Sequence, residues 1–97
     1  MDKESQVLSQ VTIHLFGLVG GSANKTRLSQ PCEPGTTVQD IWQRLQSEAQ
    51  PEDRIATIDS DVILVLVNGR PIDYLDGWKT RVSKDDVVTY MIKVAGG

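Results

Sequence analysis

One unbroken apolar run, Val62-Ile63-Leu64-Val65-Leu66-Val67, stopped by Asn68-Gly69, constrains the fold of this chain more than any other segment. It is too short for a typical helix, rich in β-branched residues, and closed by a dipeptide suited to a tight hairpin turn. It therefore reads as a central strand, covered on both faces or nearly so. With 97 residues the chain can enclose one core but not two, so every other element must be arranged around this strand. Val11, Ile13 and Leu15 alternate with Thr12 and His14, the period of a half-buried strand over 11–16. Residues 17–26, with Gly20-Gly21 and Ser22-Ala23-Asn24, predict a loop. Residues 27–33 predict a second strand, which Pro31 limits to an edge or a short pairing.

After Pro34-Gly35 the period changes. Val38, Ile41, Trp42, Leu45 and Ala49 recur at helical spacing and end near Gln50-Pro51. Thr36 with Gln39, or Thr37 with Asp40, has the spacing of a capping box. Trp42 is the largest member of the stripe, and its burial is worth about 2–3 kcal/mol. Residues 51–61 read as a polar loop. Residues 72–82 read as an irregular insert, with Leu75, Trp78 and Val82 as satellites of the core, and residues 83–86 as a polar turn. In a last strand over 87–92, alternation sends Val88, Tyr90 and Ile92 to the core and Val87, Thr89 and Met91 to the opposite face. The order predicts an α+β domain with one main helix packed on one face of a mixed sheet. The expected organisation is a flexible N-terminal segment over 1–10, a domain over 11–92 and a flexible tail over 93–97.

The formal net charge is −3, with no cluster of lysine or arginine, which argues against nucleic acid as a partner. No apolar stretch has the length of a membrane span or the form of a signal peptide, so neither a membrane nor a secreted location is expected, and the cytoplasm is. The lone Cys32 fits a reducing compartment and reads as a small residue in a strand rather than a nucleophile. Asn24-Lys25-Thr26 fails as a phosphate loop, because Asn24 and Val19 stand where the motif needs glycine. His14 has no companions at metal-ligand spacing, Asp59 and Asp61 lack the rest of a calcium loop, and Asp85-Asp86 read as turn formers. No catalytic residue, metal site or stably bound cofactor is expected.

The remaining signal is the sequence Val94-Ala95-Gly96-Gly97. A terminal glycine pair arises by chance in about 0.5% of chains, and without Cβ atoms such a segment threads a narrow slot. Together with Val65-Leu66-Val67-Asn68-Gly69, Leu75-Asp76-Gly77 and Lys84-Asp85-Asp86-Val87-Val88, it resembles the small sulfur carriers of molybdopterin and thiamine biosynthesis, above all the small subunit of molybdopterin synthase and its archaeal relatives. The resemblance spans about 11–97. It departs from the molybdopterin members at Lys93, where proline is common, and in the longer 1–10 and 17–26 segments.

The resemblance implies a ubiquitin-like β-grasp fold, with the first and last strands parallel at the sheet centre. It also implies a carrier or substrate protein rather than an enzyme. Gly97 would be adenylated by a ubiquitin-activating-like enzyme, which uses the ATP, and converted to a thiocarboxylate. The sulfur would then pass to a synthase large subunit in molybdenum- or tungsten-cofactor assembly. Gly96, Ala95 and Val94 would line the insertion path, and five extended residues, 93–97, reach about 17 Å. Met91, near the root of the tail, is the docking candidate. Two alternatives stand beside this reading: a modifier joined through Gly97 to target-protein lysines, and a β-grasp interaction module whose tail is unused.

Overall fold

The computed structural model describes residues 9–19 and 25–93. Strands β1 (Gln10–Phe16), β2 (Lys25–Pro31), β3 (Ile63–Val67), β4 (Arg70–Pro71) and β5 (Val87–Ile92) surround one helix, α1 (Val38–Glu48). They form a five-stranded sheet in the order β2-β1-β5-β3-β4. β1 and β5 run parallel at the centre, while β1–β2, β3–β5 and β3–β4 are antiparallel. This is the expected α+β, β-grasp arrangement. Short 3-10 turns at Arg54–Ala56, Ser60–Val62, Ile72–Tyr74 and Gly77–Lys79 fill the connections.

Local chemistry accounts for most boundaries. Asn68 (φ 53°) and Gly69 (φ 83°) both take positive φ, the pattern of a type I′ turn, and they close the β3–β4 hairpin at Val67 and Arg70. Of the two capping boxes expected, the one formed is Thr37 with Asp40. The Asp40 N–H donates to Thr37 Oγ1 at 3.1 Å, and the Thr37 N–H to Asp40 Oδ2 at 3.0 Å. Thr36 is committed elsewhere, its hydroxyl donating to the Glu33 carbonyl at 2.8 Å. A further orphan donor of the first turn, the Val38 N–H, is satisfied by the Thr80 carbonyl, and the Val82 N–H by Thr36. The insert thus clamps the start of α1, which runs to Glu48 with Ala49 as its C-cap.

The core lies between α1 and one face of the sheet. Val38, Ile41, Trp42 and Leu45 pack on Val11, Ile13, Leu15, Val65, Val88 and Tyr90. Trp42 stacks on Tyr90 at 5.2 Å between ring centroids and meets Trp78 at 6.2 Å. Tyr90 is fully buried, and its hydroxyl donates to the Val38 carbonyl at 2.8 Å. As expected, Val82 is buried, with Leu75 and Trp78 packed on the core margin.

Four expectations need correction. Lys25 and Thr26, read as loop, belong to β2, which ends at Pro31 rather than at residue 33; pairing with Phe16 and Leu15 outweighs their polar character. Arg70-Pro71, read as an extension of the turn, is the short strand β4. The apolar run is covered on one face only: Ile63, Val65 and Val67 are buried, but Leu64 and Leu66 are half-exposed, because the single helix lies on the other side. Ile92 is half-buried at the rim of the core rather than inside it.

Two stability measurements follow. Thr37→Ala removes the reciprocal cap and should cost about 1 kcal/mol in denaturant unfolding. Burial raises the Tyr90 phenol above its ordinary pKa, so above about pH 10 the unfolded chain loses this proton while the folded chain keeps it. This contribution is therefore intact below pH 10 and is lost as pH rises further, by up to about 1.4 kcal/mol per unit. Tyr90→Phe should flatten that alkaline loss in pH-dependent melting.

Candidate functional site

Alternation and register together place the candidate surface on the sheet face opposite α1. Phe16 pairs with Met91 across the parallel β1–β5 ladder, and Leu64 pairs with Met91 across β3–β5. These side chains form one row, with neighbouring Cβ atoms about 4.5–5.5 Å apart. Lys25 extends the row at the β2 end, its ammonium 5.9 Å from the centroid of the Phe16 ring. The next row on this face reads Arg27, His14, Thr89, Leu66 and Pro71. The face is thus apolar at its centre and basic along the β2 margin. Phe16, Met91, Leu64 and Leu66 are all half-buried, neither sealed in the core nor fully exposed.

The apolar row sits at the root of the tail. The Lys93 N–H donates to the Val62 carbonyl at 2.8 Å and so ends the β3–β5 ladder. Beyond Lys93, the residues expected to enter a partner, Val94, Ala95, Gly96 and Gly97, lie outside the described residues. Met91 is where alternation placed it. Its neighbours Phe16 and Leu64 escaped the sequence reading, because seeing the row requires the registers of three strands at once.

The other chemical candidates are accounted for structurally. Cys32 lies just past β2, buried, with its thiol donating to the Val82 carbonyl at 3.6 Å. Burial pushes its pKa up, outweighing a hydrogen bond with Thr36 that lowers it, so it is a neutral thiol at pH 7 and a poor nucleophile. His14 stands on the open face. Desolvation first, then the charges of Lys25 and Arg27, hold it below its usual range and keep it neutral at pH 7. Asp59 caps its 3-10 turn by accepting from the Asp61 N–H at 3.1 Å. Asp86 accepts from the Ser83 N–H and the Asn68 side chain, and the Asn68 side chain in turn accepts from the Val87 N–H. Asp86 is thus a turn former, as expected, and Asp59, read as part of a loop, caps a turn as well. Among the described residues no group of three or more His, Cys, Asp or Glu is placed to hold a metal. No helix among them is long and apolar enough to cross a membrane.

Comparison with known proteins decides the family. The ThiS family model matches residues 13–97, from within β1 through the terminal glycines. The chain belongs to the ThiS family. No curated protein sequence matches it. Among solved structures, it is similar to small archaeal modifier protein 1 from Methanosarcina acetivorans, at 25% identity and a TM-score of 0.61, covering 91% of this chain and 96% of that one. Urm1 from Trypanosoma brucei is similar at 20% identity and a TM-score of 0.62, covering 91% and 95%. A putative molybdopterin converting factor subunit 1 from Pyrococcus furiosus is similar at 18% identity and a TM-score of 0.59, covering 88% and 98%. The latter two likenesses bear on the fold. The ThiS-family chain thus has a ubiquitin-like β-grasp fold and belongs to the sulfur-carrier family.

Proposed function

We propose that this chain is a sulfur carrier whose working group is the carboxylate of Gly97. The observation that carries the reading is the extent of the ThiS match, which runs through residue 97 and so includes Ala95-Gly96-Gly97. A carboxylate is a poor electrophile. In the proposed cycle, its oxygen attacks the α-phosphorus of ATP on a ubiquitin-activating-like enzyme, giving an acyl adenylate and pyrophosphate. A sulfide equivalent then attacks the carbonyl carbon, AMP departs, and Gly97 becomes a thiocarboxylate. If the donor is a protein persulfide, the first product is an acyl disulfide, and a second thiol must cleave its S–S bond to release the thiocarboxylate. ATP and the catalytic groups belong to the partner. Molybdopterin synthesis, with a synthase large subunit as sulfur acceptor, is the pathway we assign on the sequence resemblance.

The domain supplies an address. Phe16, Met91, Leu64 and Leu66 form the proposed docking surface, and a methionine at its centre adapts to more than one partner. Burial keeps the Cys32 thiol neutral and a poor nucleophile. A second reading, conjugation of Gly97 to target-protein lysines, is favoured by the likeness at 25% identity to a small archaeal modifier protein. Both readings share the activation step and part only at the acceptor.

Mass spectrometry after incubation with an activating enzyme, ATP and a sulfur donor tests this directly. Exchange of one oxygen for sulfur, localised to Gly97, is expected; localisation matters because oxidation of Met1 or Met91 adds a nearly equal mass. Gly97→Ala should leave melting unchanged and strongly reduce adenylation, because the added methyl group occupies a close-fitting pocket. Normal activation of that variant would sink the proposal, and a Gly97–lysine isopeptide bond would select the modifier reading. Met91→Asp should weaken binding to the activating enzyme by at least about tenfold with little change in stability; an unchanged affinity would remove Met91 from the interface.

A further inference from the structure

The free edge of the sheet carries a second, separate recognition feature. The Thr12 N–H donates to the Asp86 carbonyl and the Gln10 carbonyl accepts from the Asp85 N–H, so the even-numbered residues of β1 turn their backbone groups toward β5. The odd-numbered residues Val11, Ile13 and Leu15 therefore bond to β2, opposite Gln30, Leu28 and Thr26. It follows that the N–H and C=O groups of Arg27 and Ser29 point away from the sheet, along an edge that no strand among the described residues covers. Only Pro31 lacks the donor.

Two clefts of about 290 Å³ each open along this edge, between β2 and α1, and meet at Gln30. The first is lined mainly by Leu28, Leu45, Ala49 and Ile55, with Glu48 and Asp53 also in its wall. The second is more polar, with Gln30, Glu33, Asp40 and Arg44 around Ile41. On the opposite side of the edge, Lys25 and Arg27 are exposed, and neither forms an ion pair with a described carboxylate.

We infer that the β2 edge takes up an extended acidic–apolar segment of a partner protein as a sixth strand. Pleating dictates the chemistry. Partner residues opposite Thr26 and Leu28 send their side chains into the apolar cleft under α1, whereas those opposite Lys25 and Arg27 stand beside the two cations. The matching sequence therefore alternates apolar with acidic residues over about 20 Å, the length of β2. Charge also decides against a second copy. Antiparallel pairing of two β2 edges would set Lys25 and Arg27 of both copies on one face, a like-charge arrangement that native edges use to avoid self-association.

The probe is a capped synthetic peptide of about eight residues, alternating valine with aspartate, titrated into isotope-labelled full-length protein. Expected are saturating shifts at Arg27, Ser29, Ile41 and Leu45, slowed hydrogen exchange at the Arg27 and Ser29 amides, and binding at least about tenfold weaker when lysine replaces aspartate. Ser29→Pro removes an outward donor that β1 does not use, so it should fold and lose at least about tenfold in affinity. Arg27→Glu, on an exposed side chain, provides an independent variant with the same expectation. The proposal is overturned by any of four results: no saturation, shifts centred on Phe16, Met91 and Leu64, affinity indifferent to Ser29→Pro and Arg27→Glu, or a dimer in sedimentation that Ser29→Pro dissociates.

Discussion

The parallel pairing of β1 with β5 is the constraint on which the rest of the structure depends. It joins Thr12 to Val87 and Phe16 to Met91, almost the full length of the described chain. Parallel neighbours cannot be joined by a tight turn, so everything between them must serve as the crossover. The chain uses that crossover to carry α1 over one face and β3 and β4 to the far side of β5. The closing contacts are backbone bonds from Thr12 to Asp86 and from Asp85 to Gln10, which fix where β5 begins. β5, which ends beside Lys93, is thereby the central strand of the sheet, with two strands on either side.

That arrangement separates stability from recognition. The face under α1 holds the Trp42–Tyr90 stack, the buried Tyr90 hydroxyl bond and the fully buried Ile13, Leu18, Val38 and Val88. The opposite face holds half-exposed residues, with polar His14 and Thr89 set among Phe16, Leu64, Leu66 and Met91. Since a β-strand sends alternate side chains to opposite faces, one strand, β5, contributes to both without conflict. A change at Val88 or Tyr90 disturbs packing, whereas Met91 stands on the open face, outside that packing.

Features set by neighbours in sequence were legible without coordinates. The Asn68-Gly69 turn, the apolar stripe of α1, a capping box at its start (narrowed to two candidates, of which Thr37–Asp40 forms) and the alternation of β5 all follow from spacing of a few residues. Features set by distant pairing were not. Lys25 and Thr26 have loop composition, and only their partners Phe16 and Leu15 make them strand. The apolar run suggested a doubly covered strand, yet Leu64 and Leu66 face outward. Their apolar character is explained by the row they join with Phe16 and Met91, which exists only once three registers are set. Ile55 and Ile72 entered the core from segments that read as polar or irregular, because a 3-10 turn buries a single apolar side chain without leaving a periodic trace.

Under the sulfur-carrier reading, the placement of polar groups in the body follows the same logic. Cys32 is the one thiol of the chain, and it is buried behind β2 with its proton directed to the Val82 carbonyl. A reactive thiol near an activated acyl group would intercept it, forming a thioester and releasing AMP without loading sulfur. Burial removes that side reaction by favouring the neutral thiol. His14, the single histidine, is held neutral beside Lys25 and Arg27. Desolvation is the main cause, and the same two cations add to it while giving the β2 edge its preference for an acidic strand. β1 separates the β2 edge from β5, so the edge and the strand that ends beside Lys93 are distinct parts of the sheet.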